Sequence, residues 1–170
     1  KKFFSNLTGN DGMCPVCLGA GYIEYGGDYH QSMRVECREC EGTGFNKNLK
    51  KYKIKGKSIF DVWKMTLDEA IDFFEDIDKS ITKVCITASE IMLGHLQIGQ
   101  ATATLSGGEN IRIKIMKASK STAKVIGVDE PFKGLSNIEI DAVANYLNRI
   151  REKGKTLIVI DHSTGVEDYF

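Results

Sequence analysis

The sequence contains no apolar run approaching the roughly 20 residues needed to cross a bilayer. That excludes a membrane-spanning helix as its organising element. No export signal is visible. The five cysteines are therefore read for a reducing, cytoplasmic compartment, where spacing matters more than disulfide pairing. Net charge is absent too: basic and acidic side chains both number 23. The zero hides an asymmetry, because residues 1–60 carry 10 basic and 6 acidic groups while residues 61–170 carry 13 and 17. A front half at +4 hints only weakly at an anionic partner. A phosphate-cradling loop, G-x4-G-K-[ST], is missing as well. Gly56-Lys57-Ser58 would need a glycine at position 51, and that residue is Lys51. Finally, the chain of 170 residues starts at Lys1 and not at Met, as expected of a piece of something longer.

What is present falls into three stretches. Residues 10–45 are rich in Gly and Cys and poor in apolar periodicity, which suits a small module held by something other than a core. Residues 46–60 form a lysine-rich connector, so 1–60 is expected to be one zinc-binding region with its connector. Residues 61–120 are expected to be helical. Thr66 and Glu69 form a capping box before Leu67, Ala70, Ile71 and Phe74. Ile81, Val84, Cys85, Ala88 and Met92 predict a second amphipathic helix ending near Gly94, with Cys85 as core. Residues 121–170 predict an α/β piece. "KVIGVDEP" and "TLIVIDH" are buried parallel strands by type, flanking a helix that Ser136 and Glu139 cap and Gly154 stops.

Cys14-x2-Cys17 and Cys37-x2-Cys40, nineteen residues apart, supply two chelating turns that together close a tetrahedral thiolate shell. Glycines after each pair, "LGAG" and "EGTG", let backbone N–H groups approach the sulfurs. Structural zinc is the expected occupant, with disulfides or free thiols as the alternatives. The intervening loop carries Tyr22, Tyr25, Tyr29, His30 and Arg34, which suit contact with nucleic acid or protein, or simply a solvated hairpin.

"LSGGE", Leu105 to Glu109, combines a capping box with two glycines. Gly107 and Gly108 weaken a helix start unless something must come close to its free N–H groups, and phosphate is the obvious candidate. A plain N-cap is the alternative. Downstream, Asp129 at a strand's carboxyl end could hold magnesium, Glu130 could position and deprotonate water, and His162 after the next strand could reach a phosphate.

Taken in order, the two Cys pairs, "GKSIFDVWKMTLDEAIDFF", "LGHLQIGQATATLSGGE", "VDEPFKGLS" and "DHS" resemble the C-terminal half of the UvrA family of excinuclease proteins, a branch of the ABC ATPases. The resemblance runs from about Phe4 to the end. It implies a phosphate loop earlier in the protein and further sheet elements after His162, so this stretch alone should not hydrolyse ATP. It also implies that Ser106, Gly107, Gly108 and Glu109 serve ATP bound by the opposite half. By the same resemblance Asp129 is the magnesium-linked acid, Glu130 the catalytic base, Gly134 to Asn137, including Ser136, the interface loop, and His162 the switch histidine. Cys14, Cys17, Cys37 and Cys40 match the zinc ligands. The implied role is a DNA-damage recognition ATPase of nucleotide excision repair. It would work on double-stranded DNA as a homodimer, with the excinuclease protein UvrB as partner and ATP, Mg2+ and Zn2+ as cofactors. Arg34, Lys47, Lys50, Lys51, Lys53 and Lys55 are the candidate DNA contacts. Departures from the family pattern are Ile111 before Arg112, Phe132-Lys133 after the Glu-Pro, Ser163 after the histidine, and His95 for a tyrosine. A related ABC ATPase that removes DNA-binding drugs would carry the same motifs. A zinc module of the DnaJ-type chaperone kind would need four cysteine repeats, and two are present.

Overall fold

A computed structural model describes residues 4–26 and 33–170. The chain forms two units, Lys1–Met65 and Thr66–Phe170. Tyr29 and His30 lie outside the described residues.

The first unit begins with two cysteine turns linked by an antiparallel hairpin of β1 (Tyr22–Tyr25) and β2 (Met33–Glu36). Residues 46–60, read as a connector, are folded. A 3₁₀ turn over Lys47–Lys51 leads into β3 (Lys53–Ile54) and β4 (Lys57–Ser58). Their two-residue turn is Lys55-Gly56, with φ of 46° and 77°. Both residues are left-handed, as the favoured hairpin turn requires. Ser58 then caps α1 (Ile59–Lys64) in a reciprocal box with Asp61. The Gly-Lys-Ser triplet is thus a turn and a cap. Phe45, Leu49 and Phe60 pack beside the four cysteines, with Ile23, Ile59 and Trp63 at the edge. Phe45 meets Trp63 edge-on at 5.1 Å. So small an apolar cluster is too little to hold some 65 residues without a staple.

The second unit holds α2 (Leu67–Phe74), α3 (Lys79–Glu90) and α4 (Gly107–Ser119). These are followed by β5 (Val125–Asp129), α5 (Asn137–Glu152) and β6 (Thr156–Ile160). Strands β5 and β6 pair in parallel, Asp129 opposite Ile160, with α5 as their crossover. The capping boxes at Thr66 and Ser106 are complete. At Ser136 the Glu139 carboxylate accepts both the backbone N–H and the hydroxyl. Leu93, Phe132, Val143, Ala144, Leu147 and Ile150 centre the core.

Two expectations shift. Helix α3 ends at Glu90 and buries Thr82, Cys85 and Ala88. Ile81 and Val84 are 37 % exposed, and Met92 lies beyond the helix with φ 60°. The buried stripe keeps Cys85 and Ala88 but takes in Thr82 where Ile81 and Val84 were expected; Thr82 returns its hydroxyl to the Asp78 carbonyl at 3.0 Å and so tolerates burial. The strands are buried on one face only: Ile126 and Val128 are inside, whereas Val125, Ile158 and Ile160 are more than half exposed. No helix among the described residues is long and apolar enough to cross a membrane.

Candidate metal centre and nucleotide-contacting motifs

The two cysteine turns repeat each other residue for residue. Leu18 and Glu41 both have φ 52°, followed by left-handed Gly19 and Gly42, then Gly21 and Gly44. Gly21 N–H donates to Cys17 Sγ and Gly44 N–H to Cys40 Sγ, each at 3.2 Å. The turns also clasp each other, Cys14 N–H to Gly44 O at 2.8 Å and Cys37 N–H to Gly21 O at 2.9 Å. Side chains would block this. A Cβ on Gly44 would stand 2.3 Å from Gly19 O, and one on Gly21 2.4 Å from Gly42 O.

All four sulfurs are buried and within 4.8 Å of one another, with Cys17 and Cys40 at 3.6 Å and Cys14 and Cys37 at 4.0 Å. A tetrahedral ion with metal–sulfur bonds of about 2.3 Å has sulfur–sulfur edges of about 3.8 Å. The donor set fits such an ion. Burial raises the thiol pKa of Cys14 and Cys40. At Cys17 burial also opposes ionisation, but the Gly21 N–H and the neighbouring thiols outweigh it, so its pKa falls. Lone Cys85 is buried on α3 and is pushed up by burial alone.

The candidate DNA contacts of this unit are largely engaged. Arg34 lies over the Tyr22 ring at 4.7 Å and beside Glu24 at 3.6 Å. Lys47 faces Glu39 at 3.8 Å. Lys50 pairs with Glu41 and stands over Phe60. Lys51 stacks on Tyr52. Lys53 and Lys55 belong to the exposed hairpin.

In the second unit Ser106 accepts the Glu109 N–H at 3.2 Å, and Glu109 returns to the Ser106 N–H at 2.7 Å. This backbone bond, then His95 Nε2 at 2.9 Å, holds the Glu109 carboxyl below its ordinary range. Gly107 faces open space, whereas a Cβ on Gly108 would meet Leu135 at 3.2 Å. The helix start therefore lies against the Gly134–Asn137 loop of the same unit. Helix α4 carries a residue that sequence reasoning left without a role. Arg112, 3 % exposed, donates from Nη1 to Glu139 at 2.8 Å, while its Nε has no partner among the described residues.

Asp129 ends β5, and Glu130 follows with φ 49°, its N–H donating to Ile160 O at 2.7 Å. A left-handed glutamate at a strand's end is the kind of strained position that functional sites keep. Register places the exposed His162 just past that same carboxyl end. Asp161 ties the two strand exits together. Its carboxylate accepts the Phe132 N–H at 3.0 Å and the Ser163 N–H at 2.7 Å. Burial alone would raise the Asp161 pKa, but these bonds and the Ser163 hydroxyl carry it below its ordinary value. Lys133, one of the departures from the family pattern, bonds Glu130 at 2.6 Å.

A capped glycine-bearing helix start against the loop of residues 134–137, in one unit with an acid-tipped parallel strand, is the arrangement of part of an ABC-type ATPase domain. A four-cysteine module precedes it in the chain. Over nearly its whole length the chain matches a segment of UvrABC system protein A. It is 37% identical over 168 residues to UvrABC system protein A of Rickettsia bellii (strain RML369-C), covering 97% of this chain and 17% of that protein. The Staphylococcus epidermidis protein of the same name is also 37% identical over 168 residues, covering 97% of this chain and 18% of its own length. UvrA2 from Deinococcus radiodurans superposes with a TM-score of 0.84 at 32% identity, over 96% of this chain and 20% of that one. No protein-family model matches. The chain thus spans about a sixth to a fifth of the length of these relatives.

Proposed function

We propose that this chain is the part of a DNA-damage recognition ATPase that completes a nucleotide site and carries its zinc module, in nucleotide excision repair. Cys14, Cys17, Cys37 and Cys40 would hold Zn2+, whose role is structural because four thiolates leave no position for water. Ser106, Gly107 and Gly108 would meet the γ-phosphate of ATP held by an opposite nucleotide-binding half, through the free N–H groups of α4. Asp129 would hold Mg2+, Glu130 would take the proton of the attacking water, and His162 would sense the terminal phosphate. Gly134 and Ser136 would lie on the loop facing the second half. Bound Mg2+·ATP supplies the phosphoanhydride; the chain's own residues orient, neutralise and accept the proton. Partners would be double-stranded DNA, a second copy, and the excinuclease protein UvrB, with the cytoplasm as the working compartment.

The observation that carries the reading is Gly108 lying so close to Leu135 that an added Cβ would stand 3.2 Å from its side chain, in a unit whose acid pair ends a parallel strand. Two ATPase motifs from distant stretches share one framework. The test is Glu130→Gln in the full-length protein. Loss of steady-state ATP turnover by at least about 100-fold, with ATP binding kept, is expected of a missing general base. Turnover at the unmodified rate would sink the assignment.

A further inference from the structure

Thr66–Phe170 carries 12 basic and 16 acidic residues, so on composition it should repel an anion. Five of those 12 basic groups nonetheless line one open groove of about 480 Å³ between α3, the end of α4 and the end of α5. They are Lys83, Lys120, Arg149, Lys153 and Lys155.

Not all five are available. Arg149 is spent on Glu90, the one acid in the lining, through two bonds of 3.0 and 3.1 Å. Lys155 donates to the carbonyls of Ser121 and Ala123 at 2.7 and 2.6 Å. Both engagements favour an anion all the same. One cancels the only carboxylate, and the other covers carbonyls that would repel negative charge. Lys83, Lys120 and Lys153 remain, exposed and with ammonium groups that have no hydrogen bond or ion pair among the described residues. Lys83 stands mid-helix on α3, so helix-end electrostatics do not account for it.

The lining also selects among anionic partners. Protein interfaces are depleted in lysine and centre on exposed aromatic or arginine anchors. Here Tyr146 is 6 % exposed with its hydroxyl bonded to Ser119 at 2.8 Å, and Ile150 is 3 % exposed. Small-molecule nucleotide pockets bury most of their ligand, whereas this groove is open and offers ammonium groups, the hydroxyls of Ser80 and Thr87 being already bonded to Asp78 and to the Lys83 carbonyl. Ammonium groups without a base-reading or stacking element are the chemistry of contact with a phosphate backbone.

We propose that this groove is a phosphate-backbone contact surface for double-stranded DNA, separate from the lysine-rich stretch of residues 46–60. The inference rests on the DNA-binding reading above. Its test is the affinity of full-length protein for a duplex of arbitrary sequence across a salt series, comparing the unmodified protein with Lys83→Gln/Lys120→Gln/Lys153→Gln. Glutamine keeps these exposed positions polar, and an unchanged melting temperature checks the fold. Removing three phosphate contacts should flatten the log–log salt slope by about 2 to 3, since each contact contributes about 0.9. Binding at low salt should weaken at least about tenfold. Lys50→Gln/Lys51→Gln/Lys53→Gln serves as the comparison in the other unit. An unchanged slope in the Lys83 variant, with normal binding by the unmodified protein, overturns the groove alone. Loss of UvrB binding with the slope unchanged also overturns it and makes the groove a protein surface. Absence of salt-sensitive DNA binding by the unmodified protein overturns the DNA reading and the groove with it.

Discussion

Arg112 on α4 donates to Glu139 at the start of α5 across 2.8 Å, with Arg112 side chain 4 % and Glu139 28 % exposed. This bond joins the glycine-bearing helix to the loop-capped helix behind the acid pair. Breaking it leaves a buried guanidinium. We expect Glu139→Ala to destabilise the second unit by about 3 kcal/mol, the lower end for a broken buried pair, since Glu139 is partly exposed. Arg112→Met should cost less, because Glu139 keeps its two Ser136 bonds. Urea unfolding of the two variants checks the order, and equal losses would contradict it.

The same pair sets an acid limit. The Ser136 N–H, then Arg112, then the Ser136 hydroxyl bring the Glu139 pKa from 4.5 down to about 2. A carboxyl depressed in the folded state contributes stability that is complete above its unfolded value and is lost as pH falls through the folded one. Stability should therefore decline between about pH 4.5 and pH 2. Glu139→Gln should be less stable at pH 7 and should lose less on acidification. Urea midpoints at pH 7 and pH 3 read this directly, and parallel declines would refute it.

The metal module offers a contrast between two glycines of similar φ. Gly44 at 73° has Gly19 O 2.3 Å from a would-be Cβ, whereas Gly56 at 77° faces open space. Gly56→Ala should cost only left-handed strain, about 1–2 kcal/mol. Gly44→Ala should part the two cysteine turns and lower zinc content well below one ion per chain, as measured on protein purified without added metal. A strong chelator should likewise unfold Lys1–Met65 while the helical signal of Thr66–Phe170 persists, because the first core is the four cysteines and a few rings.

These contrasts mark what was legible in the sequence. The cysteine pairs, the three capping boxes and the β–α–β order are local patterns, and local patterns read directly from residue type and spacing. Tertiary facts did not. Arg112 sits amid an alternating "IRIKI" run, and nothing nearby signals that its partner is 27 residues away. Thr82 is polar, so its burial left no mark in an apolar stripe. The strands read as wholly buried because Val, Ile and Leu fill both faces, although only Ile126 and Val128 are covered on β5. The lysines of 46–60 stood out as a run, yet two of them, Lys47 and Lys50, pair with Glu39 and Glu41 of their own module. The basic groove is assembled from residues up to 72 positions apart, Lys83 to Lys155. Of the motif residues, Asp129, Glu130 and His162 were read from their places at strand ends and again from the resemblance, while the Lys133 bond to Glu130 had no precedent in either.

That bond yields a prediction specific to this chain. Lys133 Nζ lies 2.6 Å from Glu130 Oε2, with exposures of 70 and 35 %. The Glu130 carboxylate, and then the charges of Asp129 and Asp161, raise the Lys133 pKa, so the ammonium is held in place. If Glu130 is the general base, Lys133 draws on the carboxylate that must accept a proton. Lys133→Thr should then raise ATP turnover of the full-length protein. The rise should not exceed about fivefold, because an exposed pair is worth only about 0.2–1 kcal/mol. High salt screens the pair and should narrow the gap between variant and unmodified protein. A fall in turnover would instead assign Lys133 to holding substrate, and a salt-independent gap would remove the electrostatic explanation.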